Sequence, residues 1–271
     1  MIFKRAAAKL HAQNWMAIVI EFAIVVAGVF VGTQVSNWNA ERLQRADTAR
    51  LLHQLRPELR AQVDFYDTAK VYYATTRRFA EVAQKGWAGD ARVNDSDFVI
   101  AAYQASQIQG VGTNSDTWAN IFGAERLSSI EEPAIRRDLA FLMYSDNSTI
   151  GVNAVDTPYR RNVRRVIPIE TQDLIRTRCG DYTPAGRANV VLLPETCPLV
   201  LAADKAAAGA RALRAHPELV DDLQWHVAAA VAFLANMQAF DETTHKLLRE
   251  IPNGSAPIRS GLLSPTKRTT Q

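Results

Sequence analysis

Net charge, cysteine and catalytic signatures are all scarce in this sequence, and each scarcity closes a class of function. Lys and Arg number 31 against 28 Asp and Glu, a balance of +3. No overall field therefore draws the chain to nucleic acid, and any basic partner surface is local. Cysteine occurs only at Cys179 and Cys197, too few to complete a zinc ligand set, and no second Cys pair joins them. A Gly-x-Ser-x-Gly elbow is missing, so nucleophilic catalysis of that kind has no support. Gly110-x-Gly112 lacks the third glycine and the preceding strand of a dinucleotide fold, and it reads as a turn. Strand-like alternation and internal repeats are absent as well. No catalytic, cofactor-binding or metal residue is expected on these grounds.

One long hydrophobic run stands out. Trp15 to Val35 reads WMAIVIEFAIVVAGVFVGTQV with a single charge, and as a helix it is about 31 Å long, the thickness of a bilayer core. Lys4, Arg5 and Lys9 precede it, and Trp15 and Trp38 stand where aromatic rings prefer the two interfaces. A cleaved signal peptide is the rival reading. The run exceeds a usual signal core, and residues 34–39 offer no small-x-small cleavage site, so an uncleaved anchor is expected. Arg42, Arg45 and Arg50 follow the run, and basic residues therefore barely distinguish its two ends.

Glu21 is the unusual residue of the segment, because a carboxylate in hydrocarbon costs about 2.5 to 3.5 kcal/mol. On a helix it shares a narrow stripe with Gly28 and Gly32, and Gly28-Val29-Phe30-Val31-Gly32 has GxxxG spacing that lets a second backbone approach closely. A partner membrane helix, from another copy or a larger complex, is expected on that stripe. The bland alternative is a Glu21 that is protonated or reaches the headgroups, with glycines facing lipid.

Between Cys179 and Cys197 lie the turn formers Gly180, Asp181, Pro184, Gly186, Asn189 and Pro194, as in a stapled loop. A disulfide there would stabilise the fold by about 3 kcal/mol in an oxidising compartment. Two unrelated thiols are the alternative. If the bond forms, the bulk of the chain faces the oxidising side and the N-terminus stays cytoplasmic. These observations divide the chain into a cytoplasmic 1–14, a transmembrane 15–36, a helical periplasmic domain over 37–251 and a disordered tail over 252–271.

The expected class is all-α: the membrane helix continues into a long amphipathic helix that packs with several others into a bundle. Leu52, Leu59, Tyr66, Tyr73 and Ala80 recur every seven residues, which predicts that helix through about 85, kinked at Pro57 and ended by Gly86 and Gly89-Asp90. Short helices are expected over 96–107 and 115–122, with a turn at 110–114 between them. Ser129-x-x-Glu132 has capping-box spacing before Ile135, Leu139, Leu142 and Met143. A helix over 152–178 bent at Pro168, an Ala-rich one over 200–215 and another over 217–250 complete the set. In the last, Leu219, Leu223, Val227, Val231 and Leu234 form the expected apolar face.

Gln34-Val35-Ser36-Asn37-Trp38-Asn39, with Glu21 and Gly28 upstream, resembles the exit motif of a family of bacterial single-pass inner-membrane proteins of unknown activity. The resemblance covers about residues 1–60, and Asp116-Thr-Trp118, Leu127 and the run from Ile135 to Leu139 are more loosely similar to that family's middle region. It implies inner-membrane localisation and a helical domain, and it lends no catalytic residue.

The remaining clusters have bland readings beside the sharp ones. Glu242-x-x-His245, Asp222 with His226, and Asp241 with His245 have helical ligand spacing, yet the second pair that a bundle metal site needs is missing, and surface acid and imidazole pairs are commoner. Arg160, Arg161, Arg164 and Arg165 concentrate guanidinium groups suited to an anion or an acidic partner, or simply to a solvated face. The expectation is a non-enzymatic, membrane-anchored interaction or scaffold protein, an accessory subunit of a larger assembly, that contacts lipid and another membrane helix but not nucleic acid. A periplasmic ligand-sensing bundle is the runner-up, and a metal-dependent hydrolase comes third.

Overall fold

The computed structural model describes residues 2–109, 127–145, 155–187 and 190–251. Seven α-helices run through them: α1 (Ile2–Trp87), α2 (Asp95–Gln104), α3 (Pro133–Tyr144), α4 (Pro158–Val166), α5 (Ile169–Cys179), α6 (Ala203–Arg214) and α7 (Glu218–Glu250), with a 3-10 turn at Leu127–Ser129. Among the described residues the only extended pairing is an isolated antiparallel bridge between Tyr182 and Leu192, and the all-α expectation holds. The expected turn at 110–114, the helix at 115–122, Asp116-Thr-Trp118 and the tail from 252 lie outside the described residues.

The chain divides into two units, Met1–Leu51 and Leu52–Gln271. In the first, the helix carries the apolar run, and residues 19–46 are exposed throughout; Phe22, Ile24 and Val29 are 69%, 64% and 62% exposed. This stretch is long and apolar enough to cross a membrane. The bundle starts at Leu52, whereas residues 37–46 beyond the apolar run remain exposed.

The second unit is organised by two heptad seams. On α1, Leu52, Leu55, Leu59, Tyr66, Ala69, Tyr73, Thr76, Ala80 and Ala83 are buried, at alternating spacings of three and four, with half-buried Gln62 filling the one polar gap. On α7 the buried series is Leu219, Leu223, His226, Ala230, Phe233, Met237, Phe240, Thr244 and Leu247, in the same alternation. The two run antiparallel: Tyr73 stacks edge-on against Phe233 at 5.3 Å, Lys70 Nζ meets Asp241 at 2.7 Å, and Arg56 donates to the Leu248 and Ile251 carbonyls. That last contact satisfies carbonyls which the C-terminus of α7 would leave orphaned. A shared period of 3.5 lets the two seams face each other where these contacts occur, over residues 56–73 of α1.

The other helices pack around this pair. Phe141 on α3 meets Phe240 at 5.2 Å, and Tyr159 on α4 lies 5.6 Å from His226. Gln104 at the end of α2 donates to the Cys179 carbonyl at the end of α5, at 2.6 Å. On α6, Gly209 faces Val99 of α2 so closely that a Cβ would come to 3.0 Å from its Cγ2. Cys179 and Cys197 are disulfide-bonded, with Cα atoms 5.4 Å apart.

Three local expectations change. The helix expected over 152–178 is two helices, because Pro168 forces Ile167 into the extended region (φ −78°, ψ 125°) and α4 stops there. The capping box at Ser129 and Glu132 is not used as expected: α3 begins at Pro133, with Glu132 as N-cap and no side-chain cap hydrogen bond. A proline at the first helical position fixes φ and needs no partner for an N–H. On α7 the apolar face shifts, since Val231 is 51% exposed while His226 is buried. Following leucines and valines at steps of four drifts off a seam whose true period is 3.5. By contrast α1 passes Pro57 without interruption, and it ends as expected near Gly89, where φ is +72°.

Candidate functional site

Where α1 and α7 face each other around His226, the seam carries the small residue Ala230, and beside it, next to exposed Ala74, an open groove of about 210 Å³ is left. Helix α1 contributes Lys70, Tyr73, Ala74 and Arg77 to its wall, and α7 contributes His226, Val227, Ala230, Val231 and Leu234. The wall is mostly apolar. Its two full charges, Lys70 and Arg77, are both cations.

His226 is the polar centre of this region and is only 2% exposed. Its Nδ1 is 2.7 Å from Thr157 Oγ1, whereas its Nε2 is buried with no hydrogen-bond partner of normal geometry. The Ala105 backbone lies near enough to favour the charged ring slightly, but burial and the positive field of Arg160 outweigh it and push the imidazole down to about 4. The ring is thus neutral near pH 7.

Asp222 and His226, a candidate pair by spacing, do not act together. Asp222 accepts from Asn162 at 2.8 Å while His226 turns to Thr157. Asp241 and His245 do meet, at 2.9 Å, but Lys70 holds the other Asp241 oxygen at 2.7 Å. That hydrogen bond to Asp241 is the main reason the Lys70 ammonium titrates above its ordinary range. A cation already occupies the place a metal would need. Glu242 points elsewhere and accepts from Gln238 at 2.8 Å. Among the described residues no group of three or more His, Cys, Asp or Glu is placed to hold a metal.

The four arginines split into two pairs. Arg161 and Arg165 are exposed. Arg160 and Arg164 turn inward and clamp the segment after α2: Arg160 donates to the Ser106 carbonyl at 2.8 Å, and Arg164 to Gln107 Oε1 at 2.8 Å while lying 4.9 Å over the Tyr103 ring. The clamp continues through Gln109, which donates to Thr68 Oγ1 at 3.0 Å. Tyr72 donates to Asp181 at 2.7 Å, and burial raises the Asp181 carboxyl despite that bond. Nothing in the sequence singles out Gln104, Gln107, Gln109 or Asp181, because, apart from the bond between Gln107 and Gln104, the partners that hold them are distant in sequence: Cys179, Arg164, Thr68 and Tyr72.

Glu21, Gly28 and Gly32 are exposed in the first unit, and a Cβ at either glycine would meet nothing within 4 Å. No family model, curated protein or solved structure matches the chain, so the functional reading rests on these residues themselves.

Proposed function

We propose that this is a single-pass protein of a bacterial inner membrane, anchored by residues 15–36, with its N-terminus in the cytoplasm and its helical bundle in the periplasm. It is a non-enzymatic interaction protein: the Glu21, Gly28, Gly32 stripe docks on another membrane helix, and the bundle contacts partner proteins as part of a larger assembly. The observation that carries this reading is the exposure of an apolar stretch throughout residues 19–35, a surface that water would not tolerate uncovered. Glu21 within it supports a protein partner, since a lone carboxylate in lipid is costly. The Cys179–Cys197 disulfide supports an oxidising compartment for the bundle. The resemblance at residues 34–39 points the same way.

Fractionation and native sizing test the two halves of the proposal. The chain is expected to stay with membranes through an alkaline carbonate wash, and recovery in the soluble fraction would sink the anchor. In mild detergent the assembly is expected to exceed one chain and to shrink when Gly28→Leu and Gly32→Leu are combined. An unchanged size would remove the helix-docking role.

A further inference from the structure

Glu21 is the single charge of the apolar run from Trp15 to Val35, and no side chain answers it. It is exposed, and among the described residues no ion pair or hydrogen bond engages it. Its own helix has no donor to offer, because the residues three and four positions away are Ala17, Ile18, Ile24 and Val25. Thr33 in the same stretch is different: its hydroxyl donates to the Phe30 carbonyl at 2.8 Å and needs no second helix. Glu21 lies six residues inside Trp15, about 9 Å along the axis, and in the proposed anchor that depth is hydrocarbon.

The glycines give the direction of approach. At about 100° per residue, Gly28 and Gly32 fall about 20° to either side of Glu21 around the helix, and a Cβ at either would meet nothing within 4 Å. A second backbone that comes close over the glycines is therefore brought alongside the carboxylate. Symmetry decides whose backbone it is. Two copies of this chain in one membrane point the same way, so a two-fold axis between them runs along the membrane normal and each residue of the stripe meets its own image. Glu21 would face Glu21, like charges in a medium that strengthens their repulsion. Charge complementarity selects a helix of different sequence.

We infer that the stripe of Glu21, Gly28 and Gly32 receives a membrane helix of another protein, one that carries a Lys or Arg at the depth of Glu21. The two side chains form a charge-assisted hydrogen bond inside the bilayer, and each offsets the cost of placing the other there. This inference rests on the helix docking proposed above and names its partner.

The test is energy transfer between the donor-labelled full chain and acceptor-labelled peptides of residues 10–42 in phosphatidylcholine vesicles. The peptides carry the native Glu21, Glu21→Leu or Glu21→Lys, and so stand for a second copy, a neutral helix and a cationic one. The Lys peptide is expected to associate about tenfold more tightly than the Leu peptide, and the Glu peptide more weakly than either. Glu21→Gln in the full chain is expected to bring the Lys and Leu peptides level without moving the melting temperature of the bundle, since Glu21 lies in the other unit. Equal association of the Lys and Leu peptides, a Glu peptide as tight as the Lys peptide, or no association at all would each overturn the inference. If the Lys preference is missing while Gly28→Leu with Gly32→Leu still shrinks the native assembly, helix docking stands and the cationic partner alone is refuted.

Discussion

Helix α1 holds two stretches of similar apolar content and opposite fate. From residue 19 to 46 every position is exposed, valines and phenylalanines included. From Leu52 to Ala83 the apolar residues of the heptad stripe are buried at 3% exposure or less, while Val71, off the stripe, is 50% exposed. The difference is pattern. An apolar residue on every face cannot be covered by a single neighbouring helix and suits a medium that surrounds it, whereas a 3.5-residue repeat suits one partner, here α7. Charge follows the same division. Glu41 and Arg45 pair in solvent with side chains 60% and 54% exposed, while Lys70 pairs with an Asp241 side chain that is 11% exposed.

Truncation breaks the comparison most sharply. Leu59→Ala, at a fully buried position, is expected to cost the bundle about 4 kcal/mol, whereas Val29→Ala should leave its denaturation midpoint unchanged. Comparable losses in chemical denaturation would mean that the first stretch also belongs to the packed core.

Acid titrates the seam. The His226 imidazole has a folded pKa of about 4 against an ordinary 6.5, so the unfolded chain binds the proton first. Stability is then complete above pH 6.5 and falls as pH drops from 6.5 to 4, by about 3 kcal/mol in total. Thr157, Tyr159, Asp156 and Arg160 are the groups that face the ring. His226→Gln should flatten this slope in urea melts at successive pH values, and an unaltered slope would assign it to other groups.

Ion pairs and glycines give smaller contrasts. Lys70→Met leaves the Asp241 carboxylate to His245 alone and is expected to cost about 2 kcal/mol, against less than about 0.5 kcal/mol for Arg45→Met. Gly86→Ala drives a methyl into the Phe98 ring and should cost about 2 kcal/mol. Gly28→Ala meets nothing and should leave thermal unfolding of the bundle untouched. Equal effects in either pair would erase the distinction between the two stretches.

Much of this division is legible in sequence. Leu52, Leu59, Tyr66, Tyr73 and Ala80 are read from their spacing and all five are buried, because a repeat sustained over several heptads is a local signal. The face of α7 is harder, since the seam includes His226 and Thr244, polar residues that a search for apolar ones passes over. The groove is invisible at that level: its lining brings Ala74 and Ala230 together from helices more than 150 positions apart. The arginines at 160–165 are visible as a cluster, but only their contacts divide them into a clamp and an exposed pair.

The sequence by itself determined that the chain is helical, that residues 15–35 form one apolar run, and which stripe of α1 is buried. Those properties follow from composition and period, which act over a few turns. Tertiary structure alone decided that His226 is held neutral, that Lys70 and not a metal neutralises Asp241, and that a groove opens beside the two seams. Each depends on which side chains from distant parts of the chain are brought side by side, and where they are buried the cost of an unpaired charge outweighs local preference.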